Sequence, residues 1–199
     1  MNSKRLINIV VFGAILAVIF SFSAPAKKGE KVYKNLKEAL VHPEEVTHLK
    51  LVRKKYRTFP IEILKLKNLR FLDLSRNRLD SLPASIQLLT KLEELKIKSN
   101  RFSQFPEALL KMSDLKTLSL AENTIENIPS GISGMKSLQN LDLYRNSISY
   151  ISSEIKSLDS LKRLDLRMIE IDENEQERIR ALVPSARVML TKPCNCATR

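Results

Sequence analysis

Glycine occurs four times in the 199 residues, histidine and cysteine twice each, and tryptophan not at all. So little glycine leaves no glycine-rich loop to cradle phosphates. The histidines, His42 beside Pro43 and His48, form no metal-ligand or nucleophile–base constellation. Neither a cofactor nor a metal is therefore expected, and an enzyme is not. Cys194 and Cys196 sit one residue apart in a polar tail and staple nothing. A bridge between them would be strained, so free or intermolecularly paired thiols are expected, with a redox role as the alternative. Acidic residues are scarce as well: 22 Asp and Glu face 34 Lys and Arg, a net charge of +12. That excess favours anionic partners without choosing among acidic proteins, polyanionic glycans, phospholipid headgroups and nucleic acid. The remainder, 43% hydrophobic and 28% charged, is the composition of one folded globular domain.

The first residues stand apart from that domain. Lys4 and Arg5 precede an uncharged run, Leu6 to Phe20, and Ala24, Pro25 and Ala26 follow as an A-x-A cleavage signal. Residues 1–26 are expected to be a signal peptide, with cleavage before Lys27 or after Ser23, so the protein is secreted, periplasmic or on the cell surface. The alternative is an uncleaved anchor, because Leu6 to Ala26 approaches the ~20 residues that span a bilayer. No Cys follows the run, which excludes lipoprotein processing there. Removing Lys4 and Arg5 lowers the charge by two, from +12 to +10, so the basic excess belongs to the folded part.

Leucine is what the chain has in excess, and it recurs with a period of 23 residues. Leu49, Leu72, Leu95, Leu118, Leu141 and Leu164 are equally spaced, each followed two residues later by Leu51, Leu74, Ile97, Leu120, Leu143 or Leu166. Asn77, Asn100, Asn123 and Asn146 lie five residues beyond the first of these, then Leu79, Phe102, Ile125 and Ile148. The second half of each unit repeats through Phe59-Pro60, Leu82-Pro83, Phe105-Pro106, Ile128-Pro129 and Ile151-Ser152. Alternation in Phe71, Leu72, Asp73, Leu74, Ser75 has the period of a strand with the leucines inward. One such unit cannot bury its leucines alone, so the units must stack. The asparagine turns the chain after each strand and its amide can serve backbone groups in the bend.

From Leu49 to Ile171 this pattern, LxxLxLxxNxL, resembles the leucine-rich repeat family. The resemblance implies an α/β solenoid with a parallel β-sheet on its concave face and short helical or irregular segments on its convex face. Six units are expected over 49–171. Lys54 and Ile169 replace the asparagine in the end units, as caps require. Residues 27–48 are expected to be an N-terminal cap with a helix over Tyr33 to Leu40. Residues 172–190 are expected to hold a helix over Asp172 to Pro184 and a last strand, Arg187 to Leu190, before a flexible tail, 191–199.

Residues flanking the inward leucines point from the concave face. In the first three units these fifteen positions carry eight cations against Asp73 and Glu94, whereas the fourth and fifth units are nearly neutral. The expected partner-binding residues are Lys50, Arg53, Lys55, Arg76, Arg78, Lys96, Lys98 and Arg101, with Phe71 as an outward aromatic among them, and Tyr144 and Arg145 on the milder half. A merely soluble surface is the competing explanation. It would spread charge evenly, yet +6 of the net +10 falls on these positions. Asp73, Asp142 and Asp165 share one strand position and are expected to be solvated, because Lys50, Lys96 and Ser119 fill it elsewhere.

The expected function is that of a non-catalytic extracytoplasmic binding module for an acidic protein or an anionic glycan. A membrane-associated envelope protein and an inhibitor of a secreted enzyme are the alternatives. An export signal argues against nucleic acid as partner, and a membrane contact is expected only if the first segment stays uncleaved.

Overall fold

The computed structural model describes residues 30–192. The apolar leader and both cysteines lie outside the described residues. Among these residues no helix is long and apolar enough to cross a membrane.

Strand β1 (Val32–Tyr33) opens the fold, followed by helix α1 (Leu36–Ala39). The strands β2 (His48–Lys50), β3 (Phe71–Asp73), β4 (Glu94–Lys96) and β5 (Thr117–Ser119) come next at intervals of 23 residues. After them stand β6 (Asn127–Ile128), β7 (Asn140–Asp142), β8 (Tyr150–Ile151), β9 (Arg163–Leu166), helix α2 (Glu173–Leu182) and β10 (Arg187–Leu190). Eight strands form one parallel sheet in the order β1-β2-β3-β4-β5-β7-β9-β10. Its register sets Leu49, Leu72, Leu95, Leu118, Leu141 and Leu164 side by side, each fully buried. The expected leucine-rich solenoid is thus the fold.

Each of β2, β3, β4, β5 and β7 is followed by a bend and later by a five-residue 3-10 helix, as at Ile61–Lys65 and Ala84–Leu88. Proline precedes four of these helices, at Pro60, Pro83, Pro106 and Pro129, its fixed φ entering the turn without a ladder N–H to lose. Ser152 fills the fifth such place and caps its helix instead, its side chain accepting from the Glu154 N–H at 3.3 Å. Ile63, Ile86, Leu109, Ile132 and Ile155 bring a second fully buried row beneath the sheet. Glycine is required at Gly134, where a Cβ would lie 2.3 Å from the Leu110 carbonyl oxygen of the preceding unit.

The bends are held by the asparagines. Asn100 donates from Nδ2 to the Ile97 oxygen in its own unit and to the Leu74 oxygen in the unit before, and accepts from the Leu79 N–H there. Asn77, Asn123 and Asn146 repeat these bonds in their own units. The residue before each asparagine position is left-handed: Arg53, Arg76, Ser99, Glu122, Arg145 and Met168 have φ between 54° and 60°. Lys55, φ 63°, adds a second left-handed residue in the first unit, where Lys54 replaces the asparagine.

Three features differ from the sequence expectation. Helix α1 starts at Leu36, since Asn35 accepts from the Lys37 N–H and caps it, and Tyr33 belongs to β1. Helix α2 starts at Glu173, with Asp172 accepting from the Glu175 N–H at 3.0 Å. A small second sheet pairs β6 with β8 on the convex side, where Ile128 precedes Pro129 and is biased toward extended backbone.

Candidate functional site on the concave sheet

The floor of the N-terminal half is built around Phe71. Its ring leaves β3 on the outer side of the sheet, yet it is only 4% exposed. His48 stacks on it at 5.6 Å, and the Nζ atoms of Lys50 and Lys96 each lie 5.3 Å from its centroid. Lysine stems shield the ring while their ammonium groups meet its face. Phe71 is therefore no exposed anchor, contrary to the sequence expectation. The floor cations also have partners. Lys96 Nζ lies 3.0 Å from Glu94 Oε1, and Lys98 Nζ lies 3.0 Å from Glu122 Oε1. The Ser99 hydroxyl donates to Glu122 as well, and with Lys98 it holds that carboxyl below the usual carboxylate range.

The residues just past the strand ends, the exit rim, are disposed differently. Arg53, Lys55, Arg76, Arg78 and Arg101 are all exposed, and among the described residues none is ion-paired. Their backbones are fixed. Arg76 donates its N–H to the Lys98 oxygen at 2.8 Å, Arg78 to the Tyr56 oxygen at 2.8 Å and Arg101 to the Leu79 oxygen at 2.7 Å. Lys54 and Arg57 add two further exposed cations without ion pairs. Sequence reasoning passed over both, Lys54 because it stands at an asparagine position and Arg57 because it lies beyond the strand pattern.

Before the strands, on the entry rim, charges cancel in sequence. Glu93 accepts from Arg70 at 2.9 Å on one side and from Lys116 at 3.0 Å on the other. Burial pushes the Glu93 carboxyl up, but the bonds from Lys116 and Arg70 outweigh it and hold the carboxyl below its ordinary range. Lys162 continues the row by donating to Gln139 at 3.0 Å.

Toward the C-terminus the floor is a polar network. Tyr144 is half-buried between Lys98 and Arg167, at 6.0 and 5.7 Å. Arg167, not foreseen from the sequence, grips Asp165 through Nε at 2.9 Å and Nη2 at 2.6 Å. Its signal was there to be read, because it lies one period after Tyr144 at the same outward position. Asp142 and Asp165 are buried rather than solvated, at 9% and 1% exposure. Asp142 accepts from the Ser119 hydroxyl at 2.8 Å and from the Tyr144 N–H at 3.1 Å, and burial raises its pKa all the same. Asp73, Asp142 and Asp165 each accept from the backbone N–H two residues on, so this aspartate position serves the strand end. Arg145 is exposed, and its charge reaches Glu122.

One group of three potential metal ligands occurs among the described residues, His42, Glu44 and Glu45, all exposed and lying just before β2.

A family model described as a leucine-rich repeat region matches residues 40–191. A leucine-rich repeat protein of Leptospira interrogans superposes with a TM-score of 0.63 at 34% identity, over 71% of this chain and 35% of its own. Internalin C2 of Listeria monocytogenes gives 0.60 at 22% identity, over 74% of this chain and 62% of its own. The Toll–Spätzle complex of Drosophila gives 0.61 at 22% identity, over 76% of this chain and 22% of that one. The chain therefore spans about a third of the Leptospira protein. No curated protein matches it. With the repeat, the parallel sheet and the asparagine-held bends in place, the matched region makes this chain a member of the leucine-rich repeat family.

Proposed function

We propose that the protein is a non-catalytic binding module acting outside the cytoplasm, which holds an acidic protein or an anionic glycan against the basic half of its concave sheet. The family is one of interaction scaffolds, and no catalytic constellation occurs among the described residues of the sheet. The observation that carries the proposal is the exit rim, where Arg53, Lys55, Arg76, Arg78 and Arg101 are exposed without a carboxylate partner. Like charges at neighbouring strand positions repel, so such a row lowers stability unless an anion covers it. Tyr144, half-buried and flanked by cations, is the aromatic contact on the milder half. Phe71, Lys50, Lys96 and Lys98 shape the floor beneath the partner, and Arg145 borders it. The basic leader and the apolar run at Leu6 to Phe20 support an extracytoplasmic location.

The test is retention of purified protein on an immobilised acidic protein and on an immobilised sulfated glycan, at low and at physiological salt. Retention that weakens with salt is expected. Passage of the protein through both matrices at physiological salt would overturn the proposal. An uncharged stretch from Leu6 to Ala26 favours a second reading, a membrane-anchored envelope protein. Cell fractionation separates the two.

A further inference from the structure

We infer that the exit rim is a track for a linear sulfated glycan, and that the floor of the sheet is not the anion-binding site. The inference rests on the binding-module reading and narrows it to one surface and one ligand class. Three observations support it. First, the rim and floor differ in what their cations already do. Lys96 and Lys98 sit 3.0 Å from Glu94 and Glu122, and Lys50 covers Phe71, so an incoming anion would have to break these contacts. The rim cations have no such partner to leave. Second, the rim is mostly arginine. A guanidinium fork matches the oxygens of a sulfate with two parallel bonds, whereas an ammonium acts as a point charge.

Third, the rim has the shape of a strip. Lys55, Arg78 and Arg101 stand in adjacent units as one row, with Arg53 and Arg76 as a second row beside it. Adjacent strands lie about 4.8 Å apart, so the rows present cations at a short regular pitch along the solenoid axis. Among the described residues the large exposed apolar side chains are Val41, Ile61, Leu88, Tyr150 and Met168, and only Met168 stands on the exit rim, in the last unit and away from the cation rows. A folded protein partner buries a dry apolar centre, which the cation rows lack. A flexible chain of anionic sugars needs none.

The repeat itself supplies variants that the fold tolerates. Arg76→Ser, Arg78→Thr and Arg101→Thr place on the rim the residues found at equivalent positions, Ser99 and Thr124. Lys96→Ser and Lys98→Ala do the same for the floor, after Ser119 and Ala121. Purified protein and both variants are titrated with heparin, with desulfated heparin that keeps its carboxylates, and with polyglutamate, across a range of salt, alongside thermal melts that confirm folding. The rim variant is expected to lower the slope of log Kd against log salt by about three, one for each lost cation, while the floor variant keeps the parent slope. Heparin is expected to bind more tightly than the other two polymers. If the floor variant loses the slope and the rim variant keeps it, the rim assignment fails while the binding-module reading stands. Equal binding of polyglutamate and heparin overturns the sulfated-glycan assignment alone. If none of the three polymers binds and an acidic protein is still retained, the glycan track is overturned and the module remains. No retention by any of them overturns both.

Discussion

The two rims of the sheet pass the same strands at the same pitch, yet they treat charge in opposite ways. On the entry rim a carboxylate stands between two cations, Arg70, Glu93 and Lys116, and the row satisfies itself. On the exit rim Lys55, Arg78 and Arg101 follow one another with no carboxylate between them. Nothing in the repeat demands this, because the equivalent positions in later units are Thr124 and Ser147. A backbone scaffold that fixes side chains at strand spacing can thus carry either a neutral zipper or a bare row of charge. Only the second is left able to take an outside anion.

The largest effect is expected from removing what holds the exit rim. Asn100→Ala leaves the buried Leu79 N–H without its partner, while the Leu74 and Ile97 oxygens keep the amides of Asn77 and Asn123, at roughly 2 kcal/mol in all. The midpoint should fall by roughly 4–8 °C in a thermal melt. Asn146→Ala should cost as much stability but spare heparin binding, since the bend it serves carries Ser147 and Arg145 rather than the cation row. Equal loss of binding in both would break the comparison. A transplant comes next: Arg78→Glu sets a carboxylate between two cations, as Glu93 is set on the other rim. Heparin binding should collapse while stability to urea rises by roughly 0.3–0.5 kcal/mol.

Glu93→Gln should cost roughly 0.5–1 kcal/mol near neutral pH, the modest value of half-exposed pairs. The Glu93 carboxyl is held below its ordinary pKa, so its contribution is present above that ordinary value and is lost as pH falls through the lowered one. Parent and variant curves should therefore converge in acid, and a gap that widens there would contradict the zipper. Asp142→Asn is the smallest and has the opposite cause. Burial raises the Asp142 pKa, so the fold favours the protonated form and that advantage is lost as pH rises through the raised value. The variant should be the more stable at neutral pH, and its lead should vanish on acidification in urea melts.

The period of 23 residues was enough to read the sheet, its register and the buried rows, because each unit repeats both its leucines and its asparagine. The exit-rim cations were legible for the same reason. What the sequence hid is what side chains do to one another across units. Phe71 looked exposed because period-2 alternation gives its direction, while the stems of Lys50 and Lys96 that cover it come from the strands on either side. Lys98 looked free because Glu122, its partner, lies 24 residues away in the next unit. Asp142 and Asp165 looked solvated, although Ser119, Tyr144 and Arg167 close over that end of the floor.

The asparagines also impose an order on folding. Asn77 reaches back to the Leu51 oxygen and the Tyr56 N–H, Asn100 to Leu74 and Leu79, Asn123 to Ile97 and Phe102, and Asn146 to Leu120 and Ile125. Each of the first four bends is completed by the unit that follows it, never by the one before. A chain emerging from its N-terminus on the ribosome therefore keeps its newest bend open until about one more period has been made, and the solenoid closes behind synthesis by one coil. Shortening the chain from its C-terminus reopens the last bend left standing, whereas loss of the first unit takes away no bond that a later bend needs from ahead.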